Sequence, residues 1–150
     1  MNLRVVSRAI IYNKDSKKIL LARNKGADFW YAPGGGWEHD QENIQEAVIR
    51  EVKEECGLDV ATQRLLYAQE FHPTDDEIFL ELFWLCHVNK NQISQNNHTD
   101  TDPEGEVDEV RWFNQVELQD LKIFPKRLKH SFWKNIQHIM KIEDSFIGVT

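Results

Sequence analysis

Cysteine is scarce in this chain: Cys56 and Cys86 are the only two among 150 residues. That excludes a disulfide framework and a cysteine-built zinc site, and reads as two free, buried thiols in a reducing compartment. Four prolines and seven glycines are too few for a collagenous or low-complexity chain. No apolar run reaches membrane-spanning length, and Met1-Asn2-Leu3-Arg4 carries no signal-peptide pattern. The expectation is therefore a cytoplasmic protein without a membrane partner. Positive charge is also short, with 18 Lys and Arg against 25 Asp and Glu. The resulting net charge of −7 argues against general nucleic-acid binding, which rests on a basic surface. It leaves room for a small anionic substrate, because bound cations reverse a local field. There is no internal repeat, and a chain of this length with 41% hydrophobic residues suits a single globular domain over residues 1–150.

What the chain does have is a dense pattern between Gly36 and Leu58. It reads Gly36, five residues, Glu42, seven residues, then Arg50-Glu51-Val52-Lys53-Glu54-Glu55-Cys56-Gly57-Leu58. Asn43 followed three residues later by Glu46 predicts a capped helix start, and Gly57 predicts its left-handed stop. Ile44, Ala47, Val48 and Val52 recur at helical spacing as a buried face. At roughly 100° per residue, Glu51 and Glu55 fall inside that apolar stripe and Glu54 on its edge. Like charges three or four apart on a helix repel, and burying them together costs several kcal/mol unless compensated. A hard divalent cation with oxygen ligands is the natural compensation. The competing reading, a solvated acidic face, fails because Glu46, Arg50 and Lys53 already supply the solvent side.

These residues resemble, at every defined position, the signature of the Nudix hydrolases: a glycine, a glutamate six residues on, then Arg-Glu, a bulky aliphatic, one free position, Glu-Glu, one free position, and Gly followed by a bulky aliphatic. Nine fixed positions in 23 residues form a specific signal, unlike a lone glycine motif. The motif spans about a sixth of the chain, and flanking segments resemble the family as well. The resemblance implies an α/β/α sandwich with a mixed β-sheet and pyrophosphohydrolase activity on a nucleoside diphosphate linked to a second group. It also implies Mg²⁺ or Mn²⁺ as cofactor and a small-molecule nucleotide as partner, with the protein a monomer or homodimer. Glu51, Glu54 and Glu55 would be metal ligands, joined by the backbone carbonyl of Gly35 from the Pro33-Gly34-Gly35 run that precedes such motifs.

Along the rest of the chain, Leu3–Tyr12 and Lys18–Arg23 read as a strand hairpin turned at Asn13–Ser16. Phe29 to Trp37 is an aromatic strand broken by Pro33 and three glycines, which allow close backbone approach to a ligand. Val60–Phe71 and Glu77–Val88 are strand candidates with His72–Asp76 as the turn. The second is apolar on both faces and is expected to be central and covered on both sides. Asn89 to Asp108 is a long polar stretch, expected to be functional or mobile. Val110–Phe113 follows as a strand and Val116–Leu121 as a short helix. Pro125–Ile142 reads as a longer helix with an apolar stripe of Leu128, Phe132, Ile136, Ile139 and Met140. Phe146–Val149 is either an edge strand or a tail. The six basic residues between Lys122 and Lys141 read as a solvated face. The alternation of strands and two main helices gives an α/β class.

Site roles follow. Arg50 points away from the apolar face and can hold Glu42 or a metal-bound glutamate through a bidentate pair; Glu42 itself is placed just before the helix. The general base is either Glu51 or a loop acid. Glu106, six residues before Trp112, is the leading loop candidate, with Glu104 and Glu109 as rivals. Gly34 and Gly36, with Arg23, Trp30 and Phe71, are candidate substrate contacts, the aromatics by stacking on a base. Pro73 falls one residue short of where ADP-ribose pyrophosphatases carry a proline. Three functions stay open: hydrolysis of an ADP-ribose or sugar-nucleotide type substrate, pyrophosphate release from damaged or non-standard nucleoside triphosphates, and a nucleotide-sensing module without catalysis.

Overall fold

Alternation of apolar residues on both faces makes the first strand the axis of the sheet. In the computed structural model, which describes residues 1–88 and 106–150 together with the backbone of 98 and 99, β1 (Asn2–Asn13) lies between two partners. Along one side it runs parallel to β6 (Glu77–Val88), from Asn2 opposite Glu77 to Ile11 opposite Cys86. Along the other it pairs antiparallel with β2 (Lys18–Asn24) near its end, and with β4 (Gly34–Gly36) at Val6 to Arg8. The expected hairpin of the first two strands forms. β5 (Val60–Thr74) is antiparallel to β6 and ends the order β5-β6-β1-β2-β3-β9. There β3 (Trp30–Tyr31) and β9 (Ile123–Phe124) are parallel to each other. β8 (Val107–Phe113) pairs with β2 and with β7 (His98–Thr99). The sheet is mixed, as expected.

Side chains of a strand alternate between faces, and here each face has its own core. Ala9 and Ile11 of β1 with Trp84 and Cys86 of β6 point to one cluster; Ile10 and Tyr12 with Phe83 and Leu85 point to the other. The first cluster is covered by α1 (Ile44–Cys56), through Ile44, Val48, Val52 and Cys56. Asn43 and Glu46 close a reciprocal capping box at its start, and Gly57 ends it at φ 69°. Ser7, fully buried in β1, ties the helix to the sheet: its Oγ donates to the Ile44 carbonyl at 3.0 Å and accepts from Trp84 Nε1 at 2.9 Å. The second cluster is covered by α2 (Gln115–Leu118), a 3₁₀ turn at Lys126–Lys129 and α3 (Ser131–Ile139), through Leu118, Leu128, Phe132 and Ile136. Helices on both faces of a mixed sheet make the α/β/α sandwich.

Three expectations change. The helix predicted over Pro125–Ile142 is two pieces, broken where His130 takes φ −135° and ψ −64°. Leu128 and Phe132, both fully buried, are four residues apart and suit a tight turn followed by a helix as well as one helix. Its stripe fades toward the end, with Met140 exposed. The turn expected at His72–Asp76 shrinks to Asp75 and Asp76, because β5 continues to Thr74 opposite Glu77 across an irregularity. Pro73 is tolerated there because β5 ends the strand order and loses no ladder partner on its free side. β6 is covered on both sides only from Phe83 to Cys86, while Leu80 is exposed. Of the two readings left open for Phe146 to Val149 the tail holds, with no strand formed and Phe146 packed edge-on against Trp84, ring centroids 4.8 Å apart.

Candidate active site

Where β1, β4, β5 and β6 leave the core uncovered, α1 overhangs a cleft of about 610 Å³. Glu51 and Glu55, one helical turn apart on α1, both line it, facing Gly34, Gly35 and Gly36 of β4. The helix can press this close only because β4 has no side chains: a Cβ on Gly35 would lie 2.4 Å from the Glu51 carboxyl carbon. Gly34 donates its backbone N–H to Glu55 Oε2 at 3.2 Å.

Arg50 organises the acids around it. Its Nε and Nη2 form the expected bidentate pair with Glu42, at 2.9 and 2.8 Å. Nη2 also donates to the Gly36 carbonyl at 3.2 Å, and Nη1 reaches Glu51 at 3.0 Å and Glu54 at 3.3 Å. The hydrogen bond from Arg50 holds the Glu42 carboxyl below the usual carboxylate range. Glu51 moves the other way: burial raises it, only partly offset by Arg50, and Glu54 pushes it further up. Two carboxylates joined to the same guanidinium are thus driven apart in proton affinity by burial and pairing.

The expected metal set is only partly assembled. Glu51 is 15% exposed and Glu55 lines the cleft, but the Glu54 side chain is 55% exposed on the rim and engaged with Arg50. Among the described residues no three His, Cys, Asp or Glu side chains close around one point. The donor chemistry nonetheless suits a hard divalent cation. Two carboxylates converge in one cleft, and one of them is desolvated, a costly charge that a cation relieves.

The remaining expected residues divide. Glu106 lines the cleft, its carbonyl fixed by the Lys25 N–H at 2.9 Å. Glu109 is committed elsewhere, paired with Arg23 at 3.2 Å and with Arg111. Glu104 lies outside the described residues, as does most of the long polar stretch from Asn89. Phe71 lines the cleft and meets Phe79 edge to face. Trp30 does not reach it. It is 7% exposed in the core against Phe113, with the Arg23 guanidinium over its ring, so both leave the list of cleft residues. Pro73 is exposed and outside the cleft, so the proline hint has no place in the site.

Sequence reasoning missed the floor of the cleft. Arg8 of β1 donates through Nε to Glu81 of β6 at 2.8 Å and through Nη1 to the Ala32 carbonyl at 3.2 Å, and Gln69 of β5 donates to the other Glu81 oxygen. Arg4 and Phe79 complete that wall. A signal was available: Arg8 and Glu81 are charges inside otherwise apolar strands, where they must either be paired or serve a site. Tyr31, Phe29 and Phe124 form a second aromatic wall, with the Phe29 and Phe124 rings 5.4 Å apart.

Comparison with known proteins agrees with this geometry. A family model described as NUDIX domain matches residues 2–133. Nudix hydrolase 10 of Arabidopsis thaliana is 29% identical over 150 residues, covering 97% of this chain and 49% of its own. The dihydroneopterin triphosphate diphosphatase of Escherichia coli strain K12 is 36% identical over 74 residues, 49% of either chain. This chain therefore spans about half the length of each of these two curated relatives. Among solved structures, an ADP-ribose pyrophosphatase from Streptococcus suis superposes with a TM-score of 0.58 at 25% identity, covering 81% of this chain and 79% of its own.

Proposed function

The chain belongs to the Nudix family, and from that premise we propose that it hydrolyses the diphosphate linkage of a nucleoside diphosphate derivative of the ADP-ribose or sugar-nucleotide type. One observation carries the reading. Glu51 and Glu55 line the cleft beside β4, which pairs with the central strand β1, and aromatics reach the cleft from both directions along the strand order, Phe71-Phe79 from β5 and β6 and Phe29-Tyr31-Phe124 from the β3–β9 end. A substrate with a group on each side of a diphosphate can place its phosphates beside the acids and its two ends against the two walls. A volume near 610 Å³ is in the range of small-molecule sites.

Glu51 and Glu55 would hold the Mg²⁺ or Mn²⁺, with Glu54 and the Gly35 carbonyl as further donors. The metal when bound neutralises phosphate charge and lowers the pKa of a coordinated water. The protein's own residues do the rest. Arg50, locked by Glu42, fixes the rotamer of Glu51 against the glycine strand. Gly35 and Gly36 let Glu51 and Arg4 press against the β4 backbone, which brings both to the cleft. Glu106 faces the cleft from its loop and takes the proton of the water whose oxygen forms the new P–O bond, while the bridging P–O bond breaks and its oxygen leaves with the other phosphate.

A panel of nucleotides assayed with Mg²⁺ tests this. The expected outcome is preferred turnover of ADP-ribose or a sugar nucleotide. ¹⁸O from labelled water should appear on a bridge phosphorus, with AMP among the products of ADP-ribose. In Glu106→Gln, kcat should fall by about 10²-fold with KM nearly unchanged. Release of pyrophosphate from nucleoside triphosphates at far higher kcat/KM would shift the assignment to the triphosphate reading, which the likeness to the dihydroneopterin triphosphate diphosphatase favours. A fully inactive Glu51→Gln beside a normal Glu106→Gln would move the base to the helix. No turnover of any compound would leave the nucleotide-sensing module.

A further inference from the structure

We propose that Arg4 is the side chain that grips the substrate's phosphates and so sets affinity for the diphosphate; this rests on the reading above. The described lining of the cleft carries Glu51, Glu55, Glu81 and Glu106 against Arg4 and Arg8. Arg8 is neutralised by Glu81, 2.8 Å away in the cleft floor. Glu51 is paired with Arg50, which lies outside the lining, at 3.0 Å. Arg4 is then the lining cation that makes no ion pair among the described residues, in a wall richer in acids than in bases. A diphosphate entering this acid-rich cleft is received better where a cation other than the metal is available to it.

The second observation is how Arg4 is held. It projects from β1 on the same face as Val6 and Arg8, all three on the cleft. Its guanidinium lies over the Phe79 ring, 5.5 Å from the centroid, and fills the space beside Gly36, where a Cβ would come within 2.4 Å of Nη2. Ring below and glycine beside fix the plane without using the donors, and among the described residues Arg4 makes no ion pair. A planar fork with unspent donors, pre-set by stacking, suits bidentate contact with phosphate oxygens. Arg4 lies against Gly36, the neighbour of the Gly35 that Glu51 lies against, so phosphates held by Arg4 lie at the acid end.

Two substitutions test it from opposite sides. Arg4→Ala removes the fork, whereas Gly36→Ala keeps the charge but drives the guanidinium off its ring. KM for ADP-ribose should rise at least about tenfold in each, the scale of one charge-assisted hydrogen bond, with kcat within about threefold. Arg4→Lys should fall between Arg4→Ala and the unmodified protein, because it returns the charge without the fork. If both substitutions act through one contact, Gly36→Ala in an Arg4→Ala background should add little. Calorimetric titration with α,β-methylene-ADP, which carries both phosphates and resists cleavage, reads the same contact without turnover and should weaken by the same factor. Arg4→Ala binding the analogue normally, an unmodified protein that does not bind it, or a fall in kcat with KM unchanged would overturn the assignment. Failure of the unmodified protein to cut ADP-ribose while binding the analogue would count against the proposed reaction and leave Arg4 in place.

Discussion

Gly34 and Gly35 are adjacent and chemically identical, yet the fold asks different things of them. A Cβ at Gly34, where φ is 158°, would lie 2.3 Å from the Ser7 carbonyl and 2.6 Å from Arg8 Cα, both backbone atoms of the central strand. Nothing there can move without breaking the β1–β4 ladder. Gly34→Ala should therefore destabilise by about 3 kcal/mol or more. At Gly35 the three atoms nearest the added Cβ all belong to the Glu51 carboxylate, the far end of a side chain that can swing aside. Gly35→Ala should keep its melting temperature within a few degrees and lose about 10²-fold in kcat/KM, the usual result of displacing a catalytic group by an ångström. Melting curves and kinetics on the pair check this; equal loss of stability in both would remove the distinction. Single residues were also where the sequence was hardest to read. Trp30 stands in the same aromatic run as Phe29 and Tyr31, but strand alternation sends it into the core and its neighbours to the cleft. Arg23 follows it, because its guanidinium is captured by Trp30, Asp108 and Glu109. Such partners come from distant strands, and no local pattern announces them.

Among the elements, α1 was legible almost to the residue, because its signals are local: a capping box at Asn43 and Glu46, an apolar stripe, and a glycine stop. The region after Pro125 was not, since no glycine or proline marks the break at His130 and the burial pattern fits either arrangement. Also invisible in advance was the means by which α1 is fixed to the sheet. Ser7 lies in a strand that otherwise reads as apolar, and its hydroxyl is fully buried between the Ile44 carbonyl at the start of α1 and the Trp84 indole. Ser7→Ala leaves the Trp84 Nε1–H without that acceptor in a fully buried setting. The expected cost is about 1–3 kcal/mol, or roughly 2–4 °C of melting temperature for each kcal/mol at this chain length. Glu51 and Glu55 ride on the anchored helix, so the same substitution should lower kcat modestly. A melting temperature within one degree of the unmodified protein would show that the helix is held by its apolar face alone.

At the scale of the whole molecule, two separate cores clamp the sheet from opposite faces, and the cleft opens where neither covers it. That architecture concentrates acidic charge on one unfilled end of an already acidic protein, so metal-free folding works against local repulsion. Any cation bound there by the folded chain and not by the unfolded one stabilises it, by about 2.7 kcal/mol at a hundredfold excess over Kd. With the scaling above, Mg²⁺ or Mn²⁺ should raise the melting temperature by roughly 5–10 °C. The sign of the pH effect follows from Glu51, whose carboxyl burial raises above the ordinary glutamate value of 4.5. A raised carboxyl contributes stability to the metal-free fold at low pH and loses it as pH climbs through its folded value. Metal binding requires the deprotonated form, so the metal-dependent gain moves the opposite way. The gap between metal-bound and metal-free melting curves should therefore widen as pH rises, and begin to close on the way down while still above 4.5. Scanning calorimetry with and without chelator across this range measures it, with Glu51→Gln/Glu55→Gln as the control in which the gap should vanish. A melting temperature indifferent to millimolar Mg²⁺ and Mn²⁺ at neutral pH would remove the metal from Glu51 and Glu55.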